Sequence, residues 1–282
     1  MKRKILSASL LLLMAASCFA QTQVQAPASK VIHAKIDSKI LGTERNYAIY
    51  LPVEYETSTK SFPVLYLLHG AWDDFQGWVK FGNAKRIADR IIAEGFAHPM
   101  IIVMPDGSGQ GEAQEWKNQG YYNQPDWGYE DFFFKELIPH LEKNYRMKTD
   151  KQSRAIAGLS MGGGGSASYA LRYPHMFGSA CPLSGALGVS RAINSLSPTV
   201  TSPLAYIRSA TPEQLEAIRT VRWFVDCGDD DSLWEANVEF YMEMKRKDVP
   251  LQYRMRNGGH NWEYWQISLP YVLQFISIGF TQ

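Results

Sequence analysis

Gly158-Leu159-Ser160-Met161-Gly162 sets a hydroxyl between two glycines in a G-x-S-x-G spacing. An apolar run, RAIAGLS (154–160), precedes it, and helix formers Ala167, Tyr169, Ala170 and Leu171 follow. A serine raised on a sharp strand-to-helix turn is pushed into strained backbone angles. Side chains two residues to either side would collide, so both places need hydrogen. The free N–H groups at the helix start then face the reaction centre, where an oxyanion can be stabilised. Gly163, Gly164 and Gly165 lengthen the glycine run, although each glycine in a helix costs roughly 1 kcal/mol relative to alanine. Their expected effect is to let this helix press closely on neighbouring strands. No Gly-Lys-Ser/Thr follows, which excludes a phosphate-binding loop on this segment.

A serine hydroxyl becomes a good nucleophile once a base takes its proton. Where this turn occurs, the chain order is serine, acid, histidine. Of the six histidines, only His175 and His260 follow Ser160. His175 comes just after the serine's helix, with no acid-bearing strand between. His260 ends the run Asn257-Gly258-Gly259-His260, where glycines let a loop reach inward, and is expected as the general base. The acid should lie in VDCGDDDSL (225–233). Asp226 sits inside a strand and is expected to point away; the residues themselves do not choose among Asp229, Asp230 and Asp231. A second oxyanion donor is needed from the turn after the third strand. LLHGAWDD (67–74) supplies it: the Ala71 N–H, paired with that of Met161, with His69 read as a structural hydrogen-bonding residue.

These groups need a scaffold that gathers turns at one edge. Short apolar runs ending in Gly, Asp or Ser recur: VLYLLHG after Pro63, MIIVMPDG (100–107), GSACPLSG (178–185), VRWFVDCGD (221–229) and LQYRMRNGGH (251–260). They read as buried parallel strands with functional turns at their carboxyl ends. Val31 to Ile36 and Tyr47 to Leu51 read as an antiparallel pair. Helical segments alternate with the strands. Asn83–Gly95 carries Ile87, Ile91 and Ile92 on one face, and Thr211-Pro212-Glu213-Gln214 is a helix start with a threonine cap. Tyr129–Tyr145 is amphipathic, with Pro139 at a kink or boundary. The alternation predicts an α/β domain with helices on both sheet faces. Residues 105–128 and 185–210, rich in Gly, Pro, Ser and Asn, are expected to be long loops over the carboxyl edge, where ligands bind in such folds.

YLLHGAWDD, YEDFFFKELIPHLEKNY, AGLSMGGGGSASYALRYPHMFGSACPLSG, CGDDDSL and NGGHNWEYW together resemble the esterase D-like branch of the α/β-hydrolases over roughly residues 40–280. That branch includes feruloyl and acetylxylan esterases (carbohydrate esterase family one), S-formylglutathione hydrolases, siderophore esterases and mycolyltransferases. The resemblance implies an α/β-hydrolase fold with a mostly parallel sheet and no cofactor or metal. It places the acid at Asp231 in a C-G-x-x-D-x-L pattern, with Asp229 as runner-up. The implied reaction is two-step acyl transfer by Ser160, Asp231 and His260.

Lys2, Arg3 and Lys4, the apolar run Ile5 to Ala16 and Cys18-Phe19-Ala20 have the form of a signal peptide cleaved after Ala20. A lipid anchor at Cys18 is the alternative. Residues 21–30 then form a polar leader and 31–282 one catalytic domain. Removing residues 1–20 takes away three basic and no acidic side chains, leaving 26 basic against 28 acidic, a net charge of −2. No long basic run points to nucleic acid, and no stretch is long enough to span a membrane. Cys181 and Cys227 read as buried free thiols rather than a disulfide. Export argues against a cytosolic thioester substrate and for ester-bearing polysaccharide. Trp72, Trp116, Tyr122, Trp127 and Trp262 offer flat faces for sugar or feruloyl rings. The expected substrate is a feruloylated or acetylated oligosaccharide or polysaccharide. The alternatives are a siderophore esterase, a sugar acyltransferase, or a binding module on an inactive hydrolase scaffold.

Overall fold

The computed structural model describes residues 27–109, 120–188 and 201–280. The expected signal segment with Cys18, most of the polar leader, Trp116 and the 189–200 part of the second long loop lie outside the described residues.

The strands are β1 Lys30–Ser38, β2 Thr43–Leu51, β3 Val64–Leu68, β4 Ile101–Pro105, β5 Asn123–Gln124, β6 Trp127–Gly128, β7 Arg154–Leu159, β8 Ser179–Leu183, β9 Arg222–Gly228 and β10 Leu251–Arg256. Eight of them form one sheet in the order β1-β2-β4-β3-β7-β8-β9-β10. β1 pairs with β2, and β2 with β4, in antiparallel register; every pair from β4 to β10 is parallel. The first two strands extend beyond the expected Val31–Ile36 and Tyr47–Leu51, because polar ends such as Arg45 also find partners. β1 opens at Lys30, so the domain begins inside what reads as leader.

The period-two geometry of a strand sends alternate side chains to opposite faces. Val64, Tyr66 and Leu68 of β3 join one apolar core, while Leu65 and Leu67 join the other. The first core is covered by helices Met161–Arg172 and Trp234–Arg246; the second by Ala84–Ala93, through Ile87 and Ile91, and by Trp262–Gly279. Burying both faces explains why these strands read as continuous apolar runs. Cys181 and Cys227 are free and buried.

Three local expectations are refined. Tyr129–Asn144 is not one regular helix: α-helical Tyr129–Phe132 passes through a π turn, Phe133–Leu137, into Ile138–Asn144 with Pro139 in its first turn. The widened turn accommodates a proline that supplies no N–H. The stretch 105–128 contains the β5–β6 hairpin. Within 185–210, Pro203–Ser209 is helical, begun by Ser202 Oγ accepting from the Ala205 N–H at 3.2 Å; the serine and proline that suggested a loop are its cap and first residue.

Candidate active site

β7 ends at Leu159, and Ser160 turns the chain into the helix with φ 54° and ψ −115°. A non-glycine residue at such angles is strained and persists only where its surroundings over-determine it. They do so here. The Ser160 N–H donates to the Leu183 carbonyl at 3.0 Å, and the Ser160 carbonyl accepts from Gly164 and Ala186 at 3.0 and 2.9 Å. A methyl group on Gly158 would lie 2.5 Å from the Gly162 carbonyl oxygen, and one on Gly162 would lie 2.5 Å from that of His69. The glycine run continues for the same reason, but its neighbours are not all strands: Gly163 meets the end of β8 at Leu183 and Gly185, Gly164 the Ala186 carbonyl, and Gly165 the Tyr121 ring.

His260, in the loop between β10 and the last helix, places Nε2 2.9 Å from Ser160 Oγ. Its Nδ1 lies 3.0 and 2.9 Å from the two carboxylate oxygens of Asp231. With Nδ1–H donated to a carboxylate, Nε2 presents its lone pair to the hydroxyl, the tautomer a general base needs. Asp231 is fully buried. Burial pushes its carboxyl up, but hydrogen bonds from His260, the Leu233 N–H and Ser184, with the charge of His260, outweigh that and hold it below the usual carboxylate range. The Leu233 N–H donates to Asp231 Oδ1 at 2.8 Å. Asp229, the runner-up, instead accepts from the Gly258 N–H at 3.1 Å, shaping the histidine's loop.

The main-chain N–H groups of Ala71 and Met161 donate to no acceptor among the described residues. His69 braces the first of them. Its Nε2 accepts from the Gly107 N–H at 2.8 Å, so Nδ1 carries the proton and donates to the Gly70 carbonyl at 2.8 Å. Both ring nitrogens are committed to backbone, the structural role expected of it. Sequence reasoning missed Ser184, whose Oγ accepts from the Trp265 indole N–H at 3.0 Å; that indole ring meets the His260 imidazole edge-on at 5.0 Å. A serine after a buried strand, in β8's LSG turn, was the available signal.

The five aromatic residues expected at the substrate divide. Tyr122 is buried with its hydroxyl 3.2 Å from Ser168 Oγ. Trp127 is buried, stacked on Tyr129 at 5.7 Å, with its N–H on the Gly120 carbonyl at 3.0 Å. Both are spent on packing, which corrects the expectation that they offer free faces. Trp72 is 76% exposed beside Ala71 and holds φ 63°. Trp262 is half-buried against Trp265 and Trp78, each at 5.3 Å. Phe81, not singled out in the sequence, extends this group at 5.9 Å from Trp262 and is 53% exposed. Trp116 lies outside the described residues. Among the described residues, no group of His, Cys, Asp or Glu is arranged to hold a metal ion.

A mostly parallel sheet, a serine on a strained strand-to-helix turn, and an acid and histidine arriving later from β9 and β10 define an α/β-hydrolase. Residues 38–276 match the model of the Esterase family, described as "Putative esterase". The chain belongs to this family. A solved ferulic acid esterase is 41% identical, with a TM-score of 0.85, over 90% of this chain and 99% of that one. The endo-1,4-beta-xylanase/feruloyl esterase of Xylanibacter ruminicola is 32% identical over 202 residues, 69% of this chain. Esterase MT1326 of Mycobacterium tuberculosis is 33% identical over 165 residues, 56% of this chain. The matches span 24% and 32% of the lengths of these two curated relatives.

Proposed function

We propose that this protein is a serine esterase that cleaves feruloyl or acetyl esters of plant cell-wall polysaccharide through an acyl-enzyme. The observation that carries the reading is the hydrogen-bonded line Ser160–His260–Asp231, with contacts of 2.9 to 3.0 Å. The 41% identity with a ferulic acid esterase supports the choice of acyl group.

Ser160 Oγ attacks the ester carbonyl as His260 Nε2 takes its proton. Asp231 holds the ring and stabilises the imidazolium that forms. The carbonyl oxygen, now an oxyanion, accepts from the Ala71 and Met161 N–H groups, which have no other acceptor among the described residues. Collapse of the tetrahedral intermediate breaks the bond to the alcohol oxygen, and His260 returns the proton to it. Water then attacks the acyl-enzyme, gives its proton to His260 and releases the acid with Ser160 restored. Trp72 and Trp262 present the ring faces that the substrate meets. The basic, apolar and small-residue pattern of residues 1–20 supports export, with cleavage near Ala20, which suits a polymeric substrate.

A panel of feruloylated arabino-oligosaccharide, acetylated xylan, a cyclic catecholate lactone and p-nitrophenyl acetate tests this. The expected result is release of ferulate or acetate from the first two, lost by roughly 10⁴ to 10⁶-fold in Ser160→Ala. Release of neither acid from the xylan esters overturns the cell-wall reading. Retention of p-nitrophenyl acetate hydrolysis in Ser160→Ala overturns the mechanism.

A further inference from the structure

A groove of about 600 Å³ runs between helix Ala84–Ala93 and helix Trp262–Gly279. One end of it lies at the start of the final helix, which follows the loop that carries His260. Glu263, on its wall, follows Trp262, and Gln266, also on its wall, donates through Nε2 to the Phe81 carbonyl at 2.6 Å. Ring contacts join this end to the reacting groups: His260 to Trp265 at 5.0 Å, Trp265 to Trp262 at 5.3 Å, Trp262 to Phe81 at 5.9 Å. Gly82 makes the last contact possible, since a methyl group there would lie 2.9 Å from the Trp262 ring.

The lining selects a class of ligand. Arg86, Arg90 and Glu94 recur at four-residue spacing along one helix face, and Glu263 stands on the facing helix. None of the four forms an ion pair with any described residue. Two cations and two anions carry no net charge, so the groove favours neither a polyanion nor a polycation. Pro270 lines it from inside the second helix; having no N–H, it leaves the Gln266 carbonyl without its helical donor. Donors and acceptors thus alternate with apolar surface, where Phe96 and Ile267 are 58% and 52% exposed. An uncharged polyhydroxylated chain with apolar ring faces matches that mixture.

We propose that this groove holds the neutral glycan chain that carries the ester, several sugar units away from the bond cleaved. The choice of glycan rests on the function proposed above; the groove's taste for a neutral polyhydroxylated polymer does not. It serves the enzyme by tethering polymer near Ser160, which raises local ester concentration without altering the chemical step.

The test uses the full chain in native gels containing soluble arabinoxylan or polygalacturonate, and kinetics on feruloylated arabinoxylan and methyl ferulate. Wild type should be retarded by arabinoxylan and not by polygalacturonate. The double variant Phe96→Ala/Ile267→Ala should lose that retardation. Its ratio of kcat/KM on polymer to kcat/KM on methyl ferulate should fall five- to twentyfold, through KM. If that variant melts at a lower temperature than wild type, Arg86→Ala/Arg90→Ala decides by the same two readouts. An unchanged ratio, absent retardation of wild type, or preference for polygalacturonate overturns the proposal. Retardation without release of any acid from feruloyl or acetyl esters would instead leave the groove standing and remove the proposed function.

Discussion

Asp226 accepts a 2.5 Å hydrogen bond from the Tyr264 hydroxyl on one carboxylate oxygen and a 2.8 Å bond from Arg256 on the other. Arg256 is the last residue of β10, and Tyr264 lies in the first turn of the final helix. The loop that carries His260 spans these two anchors, so one buried carboxylate clasps both of its ends. Tyr264→Phe leaves an Asp226 oxygen without its partner, which costs about 1–3 kcal/mol. The loosened loop should lower kcat by about tenfold or more, since small misplacements of catalytic groups are expensive. Thermal melting and the kcat–KM split on p-nitrophenyl acetate check this; a stability loss with kcat intact would confine the clasp to folding.

Gly162→Ala should be the more damaging of two similar changes on the nucleophile helix. Its added methyl meets the backbone carbonyl oxygens of His69 and Leu68 at 2.5 and 2.6 Å, and backbone cannot step aside as a flexible side chain can. Overpacking typically costs about 1–3 kcal/mol, and here the displaced atoms belong to the turn beside Ala71. For Gly165→Ala the nearest atoms to the added methyl belong to the Tyr121 side chain, at 2.8 Å and beyond, rather than to backbone, so the clash is milder. Urea midpoints and activity of the two variants should rank in that order; equal losses would contradict it.

Asp231 fixes the acid side of the stability profile. Its folded carboxyl titrates below the ordinary value, so the unfolded chain binds its proton first as pH falls. The stabilisation is therefore complete above the unfolded value of about 3.9 and fades as pH drops through the folded one. Asp231→Asn should flatten the stability change between about pH 5 and pH 2, and should lower kcat roughly 10⁴-fold by favouring the wrong histidine tautomer. Denaturant midpoints across that window, measured on both proteins, give parallel curves if this account is wrong.

Trp72 combines an exposed indole with a left-handed backbone. Strain of this kind costs about 1–3 kcal/mol, and glycine relieves it where alanine does not. Trp72→Gly should melt above Trp72→Ala, while both raise KM for feruloylated oligosaccharide severalfold. Such a pattern means that stability was given up for a ring held at the substrate; an unaltered KM in both would mean that the strain has another cause.

The sequence made some of this plain and hid the rest for physical reasons. Ser160 and His260 were legible because a strained turn demands glycines and because chain order removes the other histidines. Asp231 was not separable from Asp229 and Asp230 by residue type: all three suit a turn after a strand, and what distinguishes them is that Asp231 is buried under the imidazole while Asp229 caps the Gly258 N–H. The strands were legible from continuous apolar runs, but not the π turn at Phe133–Leu137, where hydrophobic periodicity is nearly that of an ordinary helix. Tyr122 and Trp127 show the widest gap. An aromatic residue in a glycine-rich stretch suits a ligand face and a packing anchor equally, and only the Ser168 and Gly120 partners decide.

The final helix, Trp262–Gly279, starts beside His260 and has 18 residues, so at 1.5 Å per residue it runs about 27 Å, ending where Gly279 meets Arg222 and Ser179 at the starts of β9 and β8. A support, reporter or second module grafted beyond Phe280 would sit at the opposite pole from the ester. Immobilised by that pole, the molecule would turn its reactive rim outward toward an insoluble fibre.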